Sequence, residues 1–138
     1  MAQRSKGIFE IAGWDENTYQ ELSRGGKLTE AKVSQKFTGD IEGEGSVIWL
    51  MAYNDPKTAR FVGMQRIVGT IAGQKGTFLM TTDGVFDGAT AKGTWSIIEG
   101  SGTEALAGIS GEGSFEAPHG SKAEYSLEYD LAASPARR

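Results

Sequence analysis

Hydrophobic and polar positions alternate with a period of two along most of the chain, the pattern of β-strands that bury one face. Other runs are rich in β-branched and aromatic residues. Together these runs predict eight strands, at about residues 7–14, 28–38, 41–53, 60–71, 75–82, 89–98, 109–117 and 123–131. Helical signal is limited to WDENTYQEL (14–22) and GTEALAG (102–108), and neither segment is long enough to cover a sheet.

Glycine marks the junctions between these strands. The chain has 20 glycines in 138 residues, without collagen period, and strings such as FTGDIEGEG and FDGATAKG place two glycines a few residues apart. Glycine supplies the positive φ of hairpin turns and the bends that close a small barrel. The pattern predicts an all-β fold, a single eight-stranded antiparallel up-and-down β-barrel with very little helix; a β-sandwich is the alternative.

The stretch FTGDIEGEGSVIWLMAY, residues 37–53, is polar in its first half and almost wholly apolar in its second. Successive strand residues point to opposite faces, and over residues 46–53 both faces are largely apolar. A barrel strand whose outer face is exposed to water does not need apolar residues on that face. We therefore expect another part of the chain or another molecule to cover the outer face over residues 46–53. We expect a homo-oligomer; the alternative is that a loop or the C-terminal segment covers the patch.

Composition narrows the class of protein. Fourteen Lys and Arg against 18 Asp and Glu, with the basic residues scattered, argue against a nucleic-acid partner. The chain has no cysteine and a single histidine, which excludes a thiolate or multi-histidine metal site. That histidine, His119, is expected in a surface turn. No phosphate-binding loop or dinucleotide fingerprint is present, so no cofactor is expected. The absence of an apolar segment long enough to cross a bilayer predicts a cytoplasmic protein with no membrane partner. We expect one barrel domain over residues 1–131 and a flexible tail over 132–138.

The chain resembles an uncharacterised, mainly bacterial family with an allene oxide cyclase-like barrel. The motifs that carry the resemblance, in order, are FTGDIEGEG, LMAY, FVGMQRIVGTIAGQKGTF, FDGATAKGTW, GSGTEALAGISGEGSF and YSLEYDL. Relatives by fold include allene oxide cyclases, dirigent proteins and polyketide spiro-cyclases, which steer the ring closure of a flexible apolar substrate. The sequence departs from the family's pattern at Gln65, where glutamate is common, and near Thr82, where histidine is common.

Two charged residues are the predicted catalytic groups. Glu44 lies between Gly43 and Gly45, whose missing side chains would leave space beside it, so we expect Glu44 to project into or beside an apolar cavity, with Arg66 or Gln65 near it. A carboxylate in such a place would suit proton transfer. The alternative for Glu44 is a solvated or cross-strand paired glutamate on the outer face, and for Arg66 a structural arginine that binds loop carbonyls.

Substrate contacts are assigned to Gln65 and to large apolar side chains. The predicted lining is Gln65, Trp49, Met51, Tyr53, Phe78 and Trp95. Other aromatic residues could also line a pocket, namely Trp14, Phe61, Phe86 and Tyr129. The alternative for each of them is core packing, because aromatic side chains are needed to fill an eight-stranded barrel.

Two classes of function are compatible with one such cavity. The first is an isomerase or cyclase, without metal or nucleotide, that acts by confining a flexible substrate. The second is a noncatalytic carrier or sensor of a small hydrophobic molecule. A purely structural oligomer with a filled barrel is a third possibility, and it would have no cavity.

Overall fold

The computed structural model describes residues 3–118 and 122–131, and these form a closed antiparallel barrel in which each strand pairs with its neighbours in sequence and the last strand pairs with the first. The predicted barrel is confirmed, and the alternative sandwich is excluded. The strands are β1 (Gln3–Glu21), β2 (Lys27–Gly39), β3 (Ile41–Tyr53), β4 (Ala59–Ile71), β5 (Gln74–Phe86), β6 (Thr90–Ile97), β7 (Ile109–Pro118) and β8 (Ala123–Leu131). Two short 3₁₀ helices lie at Ser23–Gly25 and Glu104–Leu106.

The main difference from prediction is in β1, which continues to Glu21 through the segment 14–22 that was expected to begin a helix. This segment pairs with β2 down to Glu21 opposite Lys27, with register shifts between Ile11 and Gly13 and between Thr18 and Gln20. The ladder with β2 satisfies backbone groups that a short isolated helix would leave open. The second helical segment does contain a 3₁₀ turn, Glu104–Leu106.

Alternate residues of each strand face the interior. In β3 the inner face carries the odd-numbered residues from Ile41 to Tyr53, and the even-numbered residues, including Glu42, Glu44, Ile48 and Leu50, face outward. The core is a continuous cluster of aromatic and aliphatic side chains contributed by every strand. The inward direction of each strand therefore decides which of the predicted side chains can meet a ligand inside the barrel.

The two ends of the barrel differ in how they are covered. At one end, here called the closed end, the segment between β6 and β7 is pinned to β5: the Thr77 backbone N–H donates to Thr103 Oγ1 at 3.0 Å, and Leu106 is buried. At the other end, here called the mouth, β1 pairs with β8 only as far as Phe9 opposite Ala123, and beyond this it pairs with β2 alone. This extended part of β1 is therefore paired on one side only, while β2 stays paired with β3 as far as Lys27 opposite Tyr53.

Two sequence predictions lie outside the described residues, namely the surface turn at His119 and the tail over 132–138. Within residues 3–118 and 122–131, no helix is long and apolar enough to cross a membrane. The same residues contain no cluster of three or more side chains suited to hold a metal ion.

Candidate functional site

The candidate site is an apolar cavity of about 360 Å³ at the mouth of the barrel. Its walls come mostly from the mouth ends of the strands and from the extended part of β1. The lining residues are Phe9, Ile11, Trp14, Trp49, Met51, Tyr53, Phe61, Phe86, Ala91, Phe115, Ala117, Pro118 and Ala123. A volume of this size is at the lower end of the range for pockets that bind small organic molecules.

Aromatic rings form most of the cavity wall, and Trp49 is at their centre. Its ring centroid is 5.1 Å from that of Phe61 and 6.4 Å from that of Phe115. Trp14, from the extended part of β1, meets Trp49 edge to face with centroids 5.8 Å apart and is 48% exposed. Trp14 therefore joins the filled core to the open rim of the cavity, where an entering molecule would first make contact.

A carboxylate lies at the rim of this cavity. Glu16 is opposite Ala31 in the β1–β2 ladder, and because Ala31 is fully buried, Glu16 is on the inner side of the hairpin. Its Oε2 accepts hydrogen bonds from Thr29 Oγ1 at 2.7 Å and from the Tyr53 hydroxyl at 2.8 Å, and its Oε1 accepts one from Trp14 Nε1 at 3.2 Å. Three donors on three different strands, β1, β2 and β3, fix this carboxylate in position.

Tyr53 is a donor in this arrangement. Burial, and next the hydrogen bond to Glu16 and its negative charge, raise the pKa of Tyr53 well above its ordinary value, so the hydroxyl keeps its proton near neutral pH. Lys27, directly opposite Tyr53 in the β2–β3 ladder, places its ammonium 5.0 Å from the centroid of the Tyr53 ring. The rim thus combines a fixed carboxylate, a protonated phenol and one ammonium group.

Deeper in the barrel is a small buried cluster of neutral polar side chains. Gln65 Nε2 donates to Gln35 Oε1, and Thr82 Oγ1 donates to Gln65 Oε1 at 3.4 Å. Gln65 and Thr82, the two positions that the resemblance singled out, are therefore in direct contact inside the barrel. Gln35 Nε2, Trp49 Nε1 and Trp95 Nε1 are buried with no hydrogen-bond partner among the described residues.

The structure places Glu44 and Arg66, the predicted catalytic residues, on the outer wall, which corrects the expectation that Glu44 projects into the cavity. Glu44 is exposed and lies directly opposite Lys36 of β2, and Arg66 is exposed opposite Ser46 of β3. The reason is the phase of the alternation: Val47, Trp49 and Met51 carry the buried face of β3, so every even-numbered residue of this strand points away from the core.

The two glycines beside Glu44 do not create empty space either. A Cβ atom on Gly45 would be 2.7 Å from Cε1 of Phe37 and 2.8 Å from Oε1 of Gln35, and one on Gly43 would meet the backbone of Val68 at 2.1 Å. Neighbouring strands therefore fill the positions that these glycines leave open. The cavity lies instead at the other half of β3.

The predicted substrate-binding residues divide into two groups. Trp49, Met51 and Tyr53 line the mouth cavity, while Gln65, Phe78 and Trp95 are buried in the core and do not line it. The binding role of the first group stays a prediction. Of the further aromatic residues considered from the sequence, Trp14, Phe61 and Phe86 are in the lining.

The sequence analysis missed several lining residues, among them Phe9 and Phe115, and the rim carboxylate of Glu16. Glu16 falls in the segment assigned to a helix start, so its face could not be read from strand alternation. The available signal was weak: Trp14, Glu16 and Thr18 alternate with Asp15, Asn17 and Tyr19, but neither set is apolar. Only the pairing of this segment with β2 shows which set faces inward.

Two wider depressions on the outer wall offer less to a ligand. One, of about 690 Å³, is bordered by the ion pair of Arg60 and Asp83 and by outward-facing residues of β6, β7 and β8. The other, of about 720 Å³, runs past Ser46, Ile48 and Arg66. Both are open to solvent over much of their area, whereas the mouth cavity is more enclosed and almost wholly apolar.

The fold and the site define a class of protein: a small closed antiparallel barrel with an apolar cavity at one end. A family model described as "Protein of unknown function (DUF3224)" matches residues 5–129, so the chain belongs to the DUF3224 family. This confirms the resemblance to an uncharacterised family. A search among curated proteins finds none that matches.

A solved structure has the same fold. The crystal structure of a protein of unknown function from the DUF3224 family of Shewanella oneidensis MR-1 superposes with a TM-score of 0.79, at 19% sequence identity, over 95% of this chain and 98% of that one. At this identity the likeness concerns the fold alone.

Proposed function

We propose that this protein binds a small apolar molecule in the mouth cavity and acts as its carrier or sensor. The observation that carries the proposal is the cavity itself, about 360 Å³ and lined by aromatic and aliphatic side chains. Pockets that bind small molecules have this composition, with a few polar groups that fix orientation. Here Tyr53 and Glu16 supply such groups at the rim.

Binding without chemistry agrees best with the barrel interior. The buried polar side chains among the described residues are Ser5, Thr29, Gln35, Gln65 and Thr82, and none of them is a ready acid or base near neutral pH. General acid–base catalysis uses a group whose pKa lies near the working pH. A reaction inside the cavity would therefore depend on confinement or on the rim.

An isomerase or cyclase is the second candidate, and the Glu16 carboxylate favours it. This carboxylate is held by three donors beside an apolar cavity, an arrangement that could orient a flexible substrate for ring closure. The two candidates differ in what leaves the protein: a carrier returns its ligand unchanged, whereas a cyclase returns an isomer of the same mass. Chromatography of a released ligand beside a sample of the same ligand before binding separates these outcomes.

The binding proposal is tested with a variant that fills the cavity. Ala117 is in the lining, so Ala117→Phe should abolish the fluorescence increase of aminoanthracene that wild type gives on binding. Ala105→Phe is the matched control, because Ala105 is exposed at the closed end and the same ring there leaves the mouth unchanged. If wild type fails to bind the dye, or if both variants bind it equally, the mouth cavity is not a binding site.

We also propose that the protein is a homo-oligomer formed through the outer wall of β3 and β4. Ile48 and Leu50 are 45% and 48% exposed, and Val62 and Met64 of β4 lie opposite Leu50 and Ile48 in register. These four side chains form one continuous apolar patch, which water disfavours on a monomer. The patch supports a second copy as the covering partner.

Light scattering tests the oligomer directly. Met64→Lys places a charge in the middle of the patch and should convert the assembly to monomers, because an unpaired charge is costly to bury in an interface. Thr94→Lys, an exposed position on β6, is the control and should leave the mass unchanged. A monomer mass for wild type at micromolar concentration would contradict the proposal.

A further inference from the structure

The hydrogen bonds of Glu16 are unevenly divided between its two oxygens. Oε2 accepts from Thr29 Oγ1 and from the Tyr53 hydroxyl at 2.7 and 2.8 Å, whereas Oε1 accepts only from Trp14 Nε1, at 3.2 Å. A carboxylate oxygen can accept about two hydrogen bonds, one for each lone pair. Oε2 is therefore satisfied within the protein, and Oε1 keeps one acceptor position.

Glu16 is not itself a lining residue of the cavity, but its hydrogen-bond partners place its carboxylate next to it. Trp14 and Tyr53, which hold the two oxygens of Glu16, are both lining residues, and Glu16 is on the inner side of the β1–β2 hairpin. The rim donors nearest the carboxylate are already used, since the Tyr53 hydroxyl and the Trp14 N–H both donate to Glu16. At this point the rim offers an incoming molecule an acceptor rather than a donor.

The acceptor is also preorganised. Thr29 is fully buried, so its hydroxyl anchors Oε2 from inside the hairpin, and Tyr53 belongs to a different strand. Together with Trp14 of β1, donors from three strands hold the carboxylate in one orientation, which reduces the entropy that a ligand loses on forming the next hydrogen bond. Trp14, which donates to Oε1, is in turn in contact with Trp49, and Trp49 with Phe61.

Resting on the proposed function, we infer that Glu16 is the polar anchor of the mouth cavity and that the ligand is an apolar molecule with one hydrogen-bond donor, an alcohol or a protonated amine, at one end. The apolar body enters the aromatic cavity, and the donor binds Oε1 of Glu16 at the rim. Aromatic faces beside a carboxylate also stabilise an ammonium group, so the amine should bind at least as tightly as the alcohol.

Lys27 provides the competing possibility. Its ammonium lies 5.0 Å from the Tyr53 ring centroid and could attract a ligand with a carboxylate instead. An anionic ligand would, however, meet the charge of Glu16 at the same rim. We therefore expect a carboxylate of the same size and shape to bind most weakly.

The inference is tested on wild type with naphthylmethylamine, naphthylmethanol, methylnaphthalene and naphthoate, which share one apolar body. Affinities are measured by displacement of aminoanthracene. The amine and the alcohol should bind about tenfold or more tightly than methylnaphthalene, the effect of one hydrogen bond to a charged group. Equal affinities for the alcohol, the amine and methylnaphthalene would overturn the inference, and so would tightest binding of naphthoate.

The Glu16→Gln variant removes the charge and keeps the shape. It should lose the preference for the amine and the alcohol while binding methylnaphthalene as wild type does, with dye affinity measured separately for each protein. Glu44→Gln, at an exposed position on the outer wall, is the matched control and should behave as wild type. If Glu16→Gln keeps the preference, Glu16 is not the anchor.

Failure of the inference and failure of the proposed function are distinguishable. Binding of all four compounds with no donor preference leaves the apolar cavity as a binding site and removes the role of Glu16. Binding of none of them, nor of aminoanthracene, overturns both. Circular dichroism of Glu16→Gln shows whether it folds; if it does not, the wild-type series decides.

Discussion

The closed end and the mouth of the barrel both contain buried aromatic residues, but the closed end is packed and the mouth holds a cavity. At the closed end, Phe37 lies over Gly45, and the segment that carries Thr103 and Leu106 covers Gly76. At the mouth, Trp49 and Phe61 wall a cavity, because alanines stand at positions 91, 117 and 123 and β8 no longer accompanies β1. Aromatic content alone therefore does not distinguish core from binding site.

The polar groups differ between the two ends as well. At the closed end, the Tyr125 hydroxyl accepts from the Ile41 N–H at 2.9 Å and donates to the Thr38 carbonyl at 3.1 Å, which ties three strands together. At the mouth, the Tyr53 hydroxyl donates to Glu16, a side chain that is half-buried at the rim. Tyr125 satisfies backbone groups on either side of the turn between β2 and β3, whereas Tyr53 holds the side-chain carboxylate of Glu16.

β3 passes through both regions, and its sequence shows the difference. Its first half carries Glu42 and Glu44 outward and glycines inward, beside the filled end. Its second half carries Trp49, Met51 and Tyr53 toward the cavity and Ile48 and Leu50 toward the outer patch. Stability and proposed binding are thus separated along the barrel axis.

The largest expected effect is the loss of stability when an aromatic ring is truncated at each end of the barrel. Phe37→Ala should lower the free energy of unfolding by about 3–5 kcal/mol, because Phe37 is buried against Phe9, Trp95 and Tyr125. Trp14→Ala should cost roughly 1 kcal/mol, since Trp14 is half exposed at the rim. Urea denaturation measures both. Equal losses would show that the mouth is as tightly packed as the closed end.

Removal of one hydroxyl from each end is a finer test. Tyr125→Phe leaves the buried Ile41 N–H without its acceptor and should cost about 1–3 kcal/mol. Tyr53→Phe leaves Glu16 with the Thr29 and Trp14 donors and with access to water, so about 1 kcal/mol or less is expected. Thermal unfolding at neutral pH compares them. A larger loss for Tyr53→Phe would reverse the assignment of the structural tyrosine.

The smallest expected effect is on how the stability of the fold changes with pH in the alkaline range, where tyrosine hydroxyls lose their protons. Burial is the main cause that raises the pKa of both Tyr53 and Tyr125 above the ordinary 10.0. Above pH 10.0 the unfolded chain loses these protons while the folded chain retains them. The stabilisation is therefore present below pH 10.0 and is lost as pH rises toward the folded pKa values.

Either Tyr→Phe variant should make this alkaline loss shallower than in wild type. Unfolding midpoints measured at successive pH values below and above 10.0 give the slopes. Tyr19→Phe is the control, because Tyr19 is exposed and its removal should leave the profile unchanged. Identical slopes for all three variants and wild type would mean that neither buried hydroxyl keeps its proton on folding.

Much of the fold was predictable, and the candidate site was only partly so. The alternation of β2 to β8 places these strands within a few residues of their observed bounds, because one-sided burial leaves a period of two in the sequence. The second half of β1 was not predictable, since Glu16 and its neighbours are mostly polar and gain their strand partner from β2. Glu16 was missed for the same reason.

The sequence by itself determined an eight-stranded barrel with glycine bends and an aromatic interior, because strand periodicity and glycine placement are local properties. Only the tertiary structure decided which face of β3 turns inward, since residues 46–53 are apolar on both faces. It also decided where the cavity lies. Space inside a barrel depends on what the other strands contribute: Phe37 of β2 fills the position over Gly45, while the mouth cavity that Trp49 lines also has alanines at positions 91, 117 and 123 in its wall.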